Sequence, residues 1–262
     1  MNRKIAIVLI SLFIVLNYPA CISGQGSAVT PEQLPTITQT LIKPPTAQVS
    51  QLFNLDELRE RWLGGVPCAP PCWEGIIPGQ TPADEATLLL SSSLMFANVE
   101  NAHLSGDGQV SFDVLFLNEQ GNVASLYGRL DYDYSPDHQV IKVIIVQIHP
   151  TPLGIIISSY GVPSHAATWE ETRVVPSDWS AFIVWEMLGL EVQADYLDIS
   201  QNIDEDLLFE YAYYFEPGLE RYRVTFGQNR GDMLSPWHGY AGLPDYQYFP
   251  PSIFSEETTT TP

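Results

Sequence analysis

Positive charge is scarce in this chain of 262 residues: 11 Lys and Arg stand against 31 Asp and Glu, a net charge of −20. Arg3 and Lys4 fall in a segment expected to be removed, which holds no acid. The remainder then carries nine basic residues against 31 acidic, a balance of −22. Such a surface repels phosphate backbones and anionic headgroups, so nucleic acid is excluded as the expected partner. Cysteine is also sparse, at three. One C-x-x-x-C pair with no second pair builds neither a four-ligand zinc site nor a thioredoxin-type C-x-x-C. No apolar stretch reaches the ~20 residues that cross a bilayer as a helix. The sequence also lacks G-x-S-x-G, H-E-x-x-H, a P-loop and G-x-G-x-x-G, so it carries no local signature of the hydrolytic or nucleotide-binding chemistry those motifs perform. The five His, at 103, 138, 149, 165 and 238, share no metal-ligand spacing. No metal, cofactor or catalytic residue is expected.

What is present begins with an export signal. Met1 to Lys4 is basic, and Ile5 to Leu16 is apolar except for Ser11. That length suits the core of a signal peptide. The segment ends at Asn17-Tyr-Pro-Ala-Cys21, where Ala20 before Cys21 matches the end of a bacterial lipobox and Tyr18 and Pro19 depart from it. Two fates follow: lipidation of Cys21, giving a membrane anchor, or plain cleavage near Ser23 or Gly24 and secretion. If Cys68 and Cys72 pair, Cys21 is the odd cysteine, and thioether lipidation gives it a use. Residues 22–50 are rich in Pro, Thr, Ser and Gln and have no apolar period, which predicts a flexible tether.

The next part predicts one α+β domain over 51–254, followed by a disordered tail over 255–262. Leu52 to Leu63 has Leu55, Leu58, Trp62 and Leu63 on one helical face, Asn54 as cap and Gly64-Gly65 as stop. Cys68-Ala-Pro-Pro-Cys72 is expected to close a small disulfide loop, with Trp73 and Ile76 packed beneath it. Thr81-Pro82 opens a helix to about Ala97, and Asp84 and Glu85 suit its N-terminal dipole. From Val110 the period becomes two, predicting strands over 110–117, 123–134 and 140–148. Asp131, Asp133 and Asp137 fail the EF-hand pattern, since Pro136 and Lys142 occupy its Gly and Glu positions. Thr151-Pro152 then repeats the helix start, followed by strands over 166–174, 179–187 and 190–196. Asp204 to Phe215 fits a short helix or an aromatic strand, 221–226 a strand, and 236–254 a surface coil. The fold class is therefore an antiparallel β-sheet with helices on one face, in two helix-then-strands units of about 66–148 and 149–227.

The run Pro71-Cys-Trp-Glu-Gly-Ile-Ile-Pro-Gly-Gln-Thr81, the Thr-Pro helix start, the strand meander and Ser159-Tyr-Gly-Val-Pro-Ser164 carry a resemblance over about Val66 to Tyr196. They resemble envelope lipoproteins of the Chloroflexi type, a likeness that implies export and no particular activity. More distantly, Pro-Gly-Gln-Thr and Tyr-Gly-Val-Pro look like the small outer-membrane-assembly lipoproteins and the β-lactamase-inhibitor-protein fold. That likeness implies helices on one face of an antiparallel sheet and an open face for binding. It supplies no catalytic residue.

Two functions are expected on these grounds. The first is an envelope-tethered binding or scaffold domain for a protein or glycan, with Trp73, Trp237, Tyr240, Tyr246 and Tyr248 as candidate contact aromatics. The alternative is a cell-wall or polysaccharide hydrolase with paired carboxylates drawn from Glu170, Glu171, Asp204 and Glu205.

Overall fold

The computed structural model describes residues 52–104, 107–133, 139–171 and 178–247. Cys21, the tether, Tyr134, Asp137, Tyr248, the tail and the side chain of Glu171 lie outside the described residues. Helix α1 (Leu55–Leu63) starts where expected: the Asn54 side chain accepts from Glu57 N–H, and the Glu57 carboxylate accepts from Asn54 N–H. It buries Leu58 and Trp62. The chain then passes the Cys68–Cys72 disulfide, whose Cα atoms are 5.6 Å apart. Directly after it Trp73 is buried, with ring centroids 6.0 Å from Trp62 and 5.5 Å from both Phe96 and Phe112. Glu74 ties this loop to α1 by accepting two hydrogen bonds from the Arg61 guanidinium, at 3.0 and 2.7 Å.

Helix α2 (Ala83–Ser91) is shorter than its sequence pattern, and Pro82, not Thr81, is its cap residue. Thr81 instead turns its hydroxyl oxygen to accept from Ile77 N–H. The first helical N–H, that of Ala83, is satisfied by the Gln139 carbonyl. Residues 92–95, read as the end of this helix, are turn, and its last two expected residues open strand β1 (Phe96–Leu104). A register shift between Ala97 and Glu100, with Asn98 at φ 50°, breaks its alternation and hides it from a period-two reading. Strands β2 (Asp107–Leu117), β3 (Val123–Asp133) and β4 (Ile141–Pro152) continue the meander. Their alternation holds: Val110, Phe112, Val114, Leu130 and Tyr132 are buried, while Ser125 and Tyr127 face solvent.

Thr151-Pro152 ends β4, and α3 (Leu153–Tyr160) follows it directly with Pro152, not Thr151, as its cap residue. The N–H groups of Leu153 and Gly154 donate to the carbonyls of Leu207 and Glu205. The two Thr-Pro pairs thus do the same job: each stands before a helix whose leading N–H is bound by a carbonyl just ahead of the last long strand of the meander that follows, β4 for α2 and β9 (Leu208–Phe215) for α3. After α3 come β5 (His165–Glu171), β6 (Asp178–Trp185) and β7 (Leu190–Leu197), then the short β8 (Asn202–Ile203) and β9 (Leu208–Phe215). Of the 204–215 segment, 208–215 is therefore strand and 204–207 a turn. Among the described residues the main sheet runs β1-β2-β3-β4-β9-β7-β6-β5-β10, all antiparallel, with β10 at Ser235–Pro236. Its first eight strands are two four-stranded meanders joined last strand to last strand, Ile144 opposite Tyr214 and Val146 opposite Ala212. A helix followed by a meander therefore occurs twice, as α2 with β1–β4 and as α3 with β5, β6, β7 and β9.

One continuous core, with α1, α2 and α3 upon it, fills one face of the sheet. The C-terminal segment supplies what the sequence pattern did not show. Arg221 to Phe226 is not a strand: it lies in α4 (Leu219–Phe226), followed by α5 (Gln228–Asp232). Tyr222 and Phe226 are one helical turn apart, and their rings sit 5.2 and 5.7 Å from Phe215. The alternation of Tyr222, Val224 and Phe226 mimics a strand, but spacing four is what packs. These two helices cover the opposite face of the second meander, over Val184, Phe215, Ala167 and Phe182. The chain closes with a β11 (Ala241–Gly242) bridge to β8 and a turn at Leu243–Tyr246, where the Leu243 carbonyl accepts from Thr168.

Candidate functional site

Most aromatics singled out from sequence are core. Trp73 and Tyr246 are buried, at 2% and 0% exposure, which removes both as contact residues. Tyr246 stacks on Trp237, centroids 5.6 Å apart, and its hydroxyl donates to the Gly239 carbonyl. Trp237 is half-buried, and only Tyr240 of the described set faces solvent. The physical reason is that this C-terminal wrap packs its rings on one another to cover β5.

The expected carboxylates do not converge either. Asp204 and Glu205 are exposed in the β8–β9 turn, where the Asp204 carboxylate accepts from the N–H groups of Asp206 and Leu207. Glu170, in β5, pairs across to Trp179. Asp131 is ion-paired with Arg129 and Asp133 with Lys142, and among the described residues no three His, Cys, Asp or Glu converge on a metal-sized site.

A different set of residues meets on the far face of β5, β6 and β7. Here a cleft of about 640 Å³ opens between the sheet and α5, lined by Trp169, Asp178, Ser180, Asp195, Tyr196 and Arg230 among others. That volume is within the range of small-molecule sites. Strand alternation aims Trp169 outward: Ala167 belongs to the far-face cluster and Thr168 turns to the core. Tyr196 arrives by a different route. Between Trp179–Leu197 and Ala181–Ala194 the register slips, so Ser180 faces both Asp195 and Tyr196. At this bulge Tyr196 takes φ 58° and is 81% exposed. A bulky side chain in the left-handed region costs about 1–2 kcal/mol, and bulges commonly re-aim a residue beside a functional site.

Asp195 is held still. One of its oxygens accepts from the Ser180 hydroxyl at 2.6 Å and from the Gln193 amide at 2.7 Å. Beside it the cleft wall rests on a buried charge. Glu191 has no exposed surface, and it accepts from the Tyr222 hydroxyl at 2.5 Å and from the Arg230 guanidinium. Burial pushes the Glu191 carboxyl up; the Arg230 charge and the two hydrogen bonds pull it back only in part. The Arg230 guanidinium also lies over the rings of Phe182, Phe226 and Tyr213, at 4.4, 4.8 and 5.3 Å. Burial first, then the Glu191 charge, holds the Tyr213 phenol up to about 12.

A space inside the core, lined by Trp62, Ile156, Tyr160 and Tyr214, is a void of about 30 Å³. It has room for a water or two and no ligand. Sequence reasoning missed the cleft because its members are spread over β5, β6, β7 and α5. The one local signal was the polar alternation of Glu191, Gln193 and Asp195 along β7. Compared with protein-family models, with curated proteins and with solved structures, the chain shows no match.

Proposed function

We propose that this chain is an exported, non-enzymatic binding domain held at the cell envelope by a lipid on Cys21, with the β5–β7 cleft as its binding surface. One observation carries the reading: Tyr196 is 81% exposed at φ 58°, a conformation that costs stability and returns no packing. Its neighbours in the cleft, Trp169 and the twice-bonded Asp195, supply a ring face and a fixed acceptor. The tether supports the anchor, because a disulfide between Cys68 and Cys72 leaves Cys21 as the one cysteine without a partner.

A fragment library titrated into the labelled full exported chain tests the surface. Resonance shifts are expected to cluster at the Trp169 indole and around Tyr196. Hits that cluster elsewhere, or no hits, would contradict the reading. The anchor has its own test: Cys21→Ser is expected to release the protein from the membrane fraction or leave an unprocessed precursor. Unchanged processing and distribution would point to simple secretion.

A hydrolytic reading rests on one fact, that Asp178 and Asp195 share the cleft. It requires turnover of a cell-wall oligosaccharide that Asp195→Asn abolishes.

A further inference from the structure

We infer that the cleft takes an organic cation, an ammonium or guanidinium group carried by its ligand; this rests on the cleft being the binding surface. The first ground is charge. Asp178 and Asp195 both line the cleft, and among the described residues neither has a basic partner. The two donors to Asp195, Ser180 and Gln193, are neutral and engage one oxygen, and among the described residues no donor meets its other oxygen. Arg230, the cation in the lining, is matched by Glu191 and committed to three rings. The described lining of the cleft therefore carries a net negative charge.

The second ground is the ring faces. Trp169 is 48% exposed and Tyr196 81% exposed at the same cleft. Indole and phenol faces attract cations, and the attraction grows as the group is desolvated. Trp169 pairs with Ser180, and Ser180 bonds Asp195 on the next strand. The backbones that carry ring and carboxylate therefore stand two strands, about 10 Å, apart. A charged group lying between them meets a ring on one side and a carboxylate on the other.

The competing ligand types fare worse. An anion would face two carboxylates at close range. A purely apolar ligand would strip water from both without replacing it. A cation answers both costs, and the strongly acidic chain draws it in from solution. The group can come from the Lys or Arg side chain of a peptide or from a free polyamine.

The test is calorimetric titration of the full exported chain with three probes: spermidine, a tetralysine peptide and a neutral chitotetraose. Saturable binding of a cationic probe is expected, weaker at higher ionic strength. It should fall about tenfold or more in Asp195→Asn, which keeps the shape and both hydrogen-bonding neighbours, and in Trp169→Ala. Preference for tetralysine identifies a peptide source, and preference for spermidine a free amine; either supports the inference. Failure of both cationic probes overturns it. If chitotetraose binds instead, loses affinity in Trp169→Ala and ignores Asp195→Asn, the cation is wrong while the binding surface stands. If no probe binds and fragments also avoid the cleft, the binding surface falls with it.

Discussion

Arg230 touches more of the far-face structure than any single contact suggests, because removing it leaves Glu191 buried without its counter-charge. Breaking such a pair from one side costs roughly 3–5 kcal/mol, so Arg230→Ala is expected to destabilise the domain on that scale in urea unfolding. A loss under about 1 kcal/mol would mean that water reaches Glu191. The same carboxyl sets a pH dependence. Its folded value is raised above the ordinary 4.5, so the native state binds the proton more tightly than the unfolded chain. Its contribution to stability is then fullest below pH 4.5 and is lost as pH rises through the folded value. The melting temperature of the wild type relative to Glu191→Gln is therefore expected to fall as pH rises from 4.5; a rising difference would reverse the sign assigned to burial. The Cys68–Cys72 pair matters less. It closes a five-residue loop already stiffened by Pro70 and Pro71, so Cys68→Ser with Cys72→Ser is expected to cost no more than about 2 kcal/mol. Thiol labelling of the native protein should find neither cysteine free. Asn54 and the cysteine pair were legible because their partners lie within four positions, and Trp73 because a large apolar ring is buried whatever its partners. Glu191 and Arg230 are 39 positions apart, and nothing local marks a Glu as buried.

Individual elements were legible where one period ran unbroken, as in β2 and β3. They were hidden where a bulge or a shared period intervened: β1 through the slip at Asn98, α4 because spacing four contains spacing two. Between β2 and β3 a reciprocal pattern was also invisible. The Phe112 ring covers Gly128, and the Tyr132 ring covers Gly108, on directly opposed positions. A methyl at Gly128 would stand 2.1 Å from the Phe112 ring. Gly128→Ala is therefore expected to cost about 1–3 kcal/mol by overpacking, read from the denaturation midpoint. A neutral outcome would show that Phe112 can move aside despite its contacts with Trp73 and Phe96.

For the molecule as a whole, the two meanders match on the core face and differ on the other. The first meander leaves its far face open and polar, with Gln109 donating to the Tyr127 hydroxyl at 3.3 Å and ion pairs at Arg129 and Lys142. The second has α4 and α5 laid over it, and the cleft is what this cover leaves uncovered at β5–β7. The repeated plan was readable from the two Thr-Pro helix starts. The departure from it, which makes the site, depends on a bulge and a C-terminal cover that no short window of sequence encodes. The central claim is that Tyr196 is held at the cleft for a ligand and not for the fold. The unfolding free energy of Tyr196→Gly tests this most directly. Glycine accepts φ 58° without strain, and an 81%-exposed ring has little packing to lose. The expected result is a stability equal to the wild type or higher by up to about 1 kcal/mol. A loss of more than about 1 kcal/mol would make Tyr196 a structural residue and contradict the account.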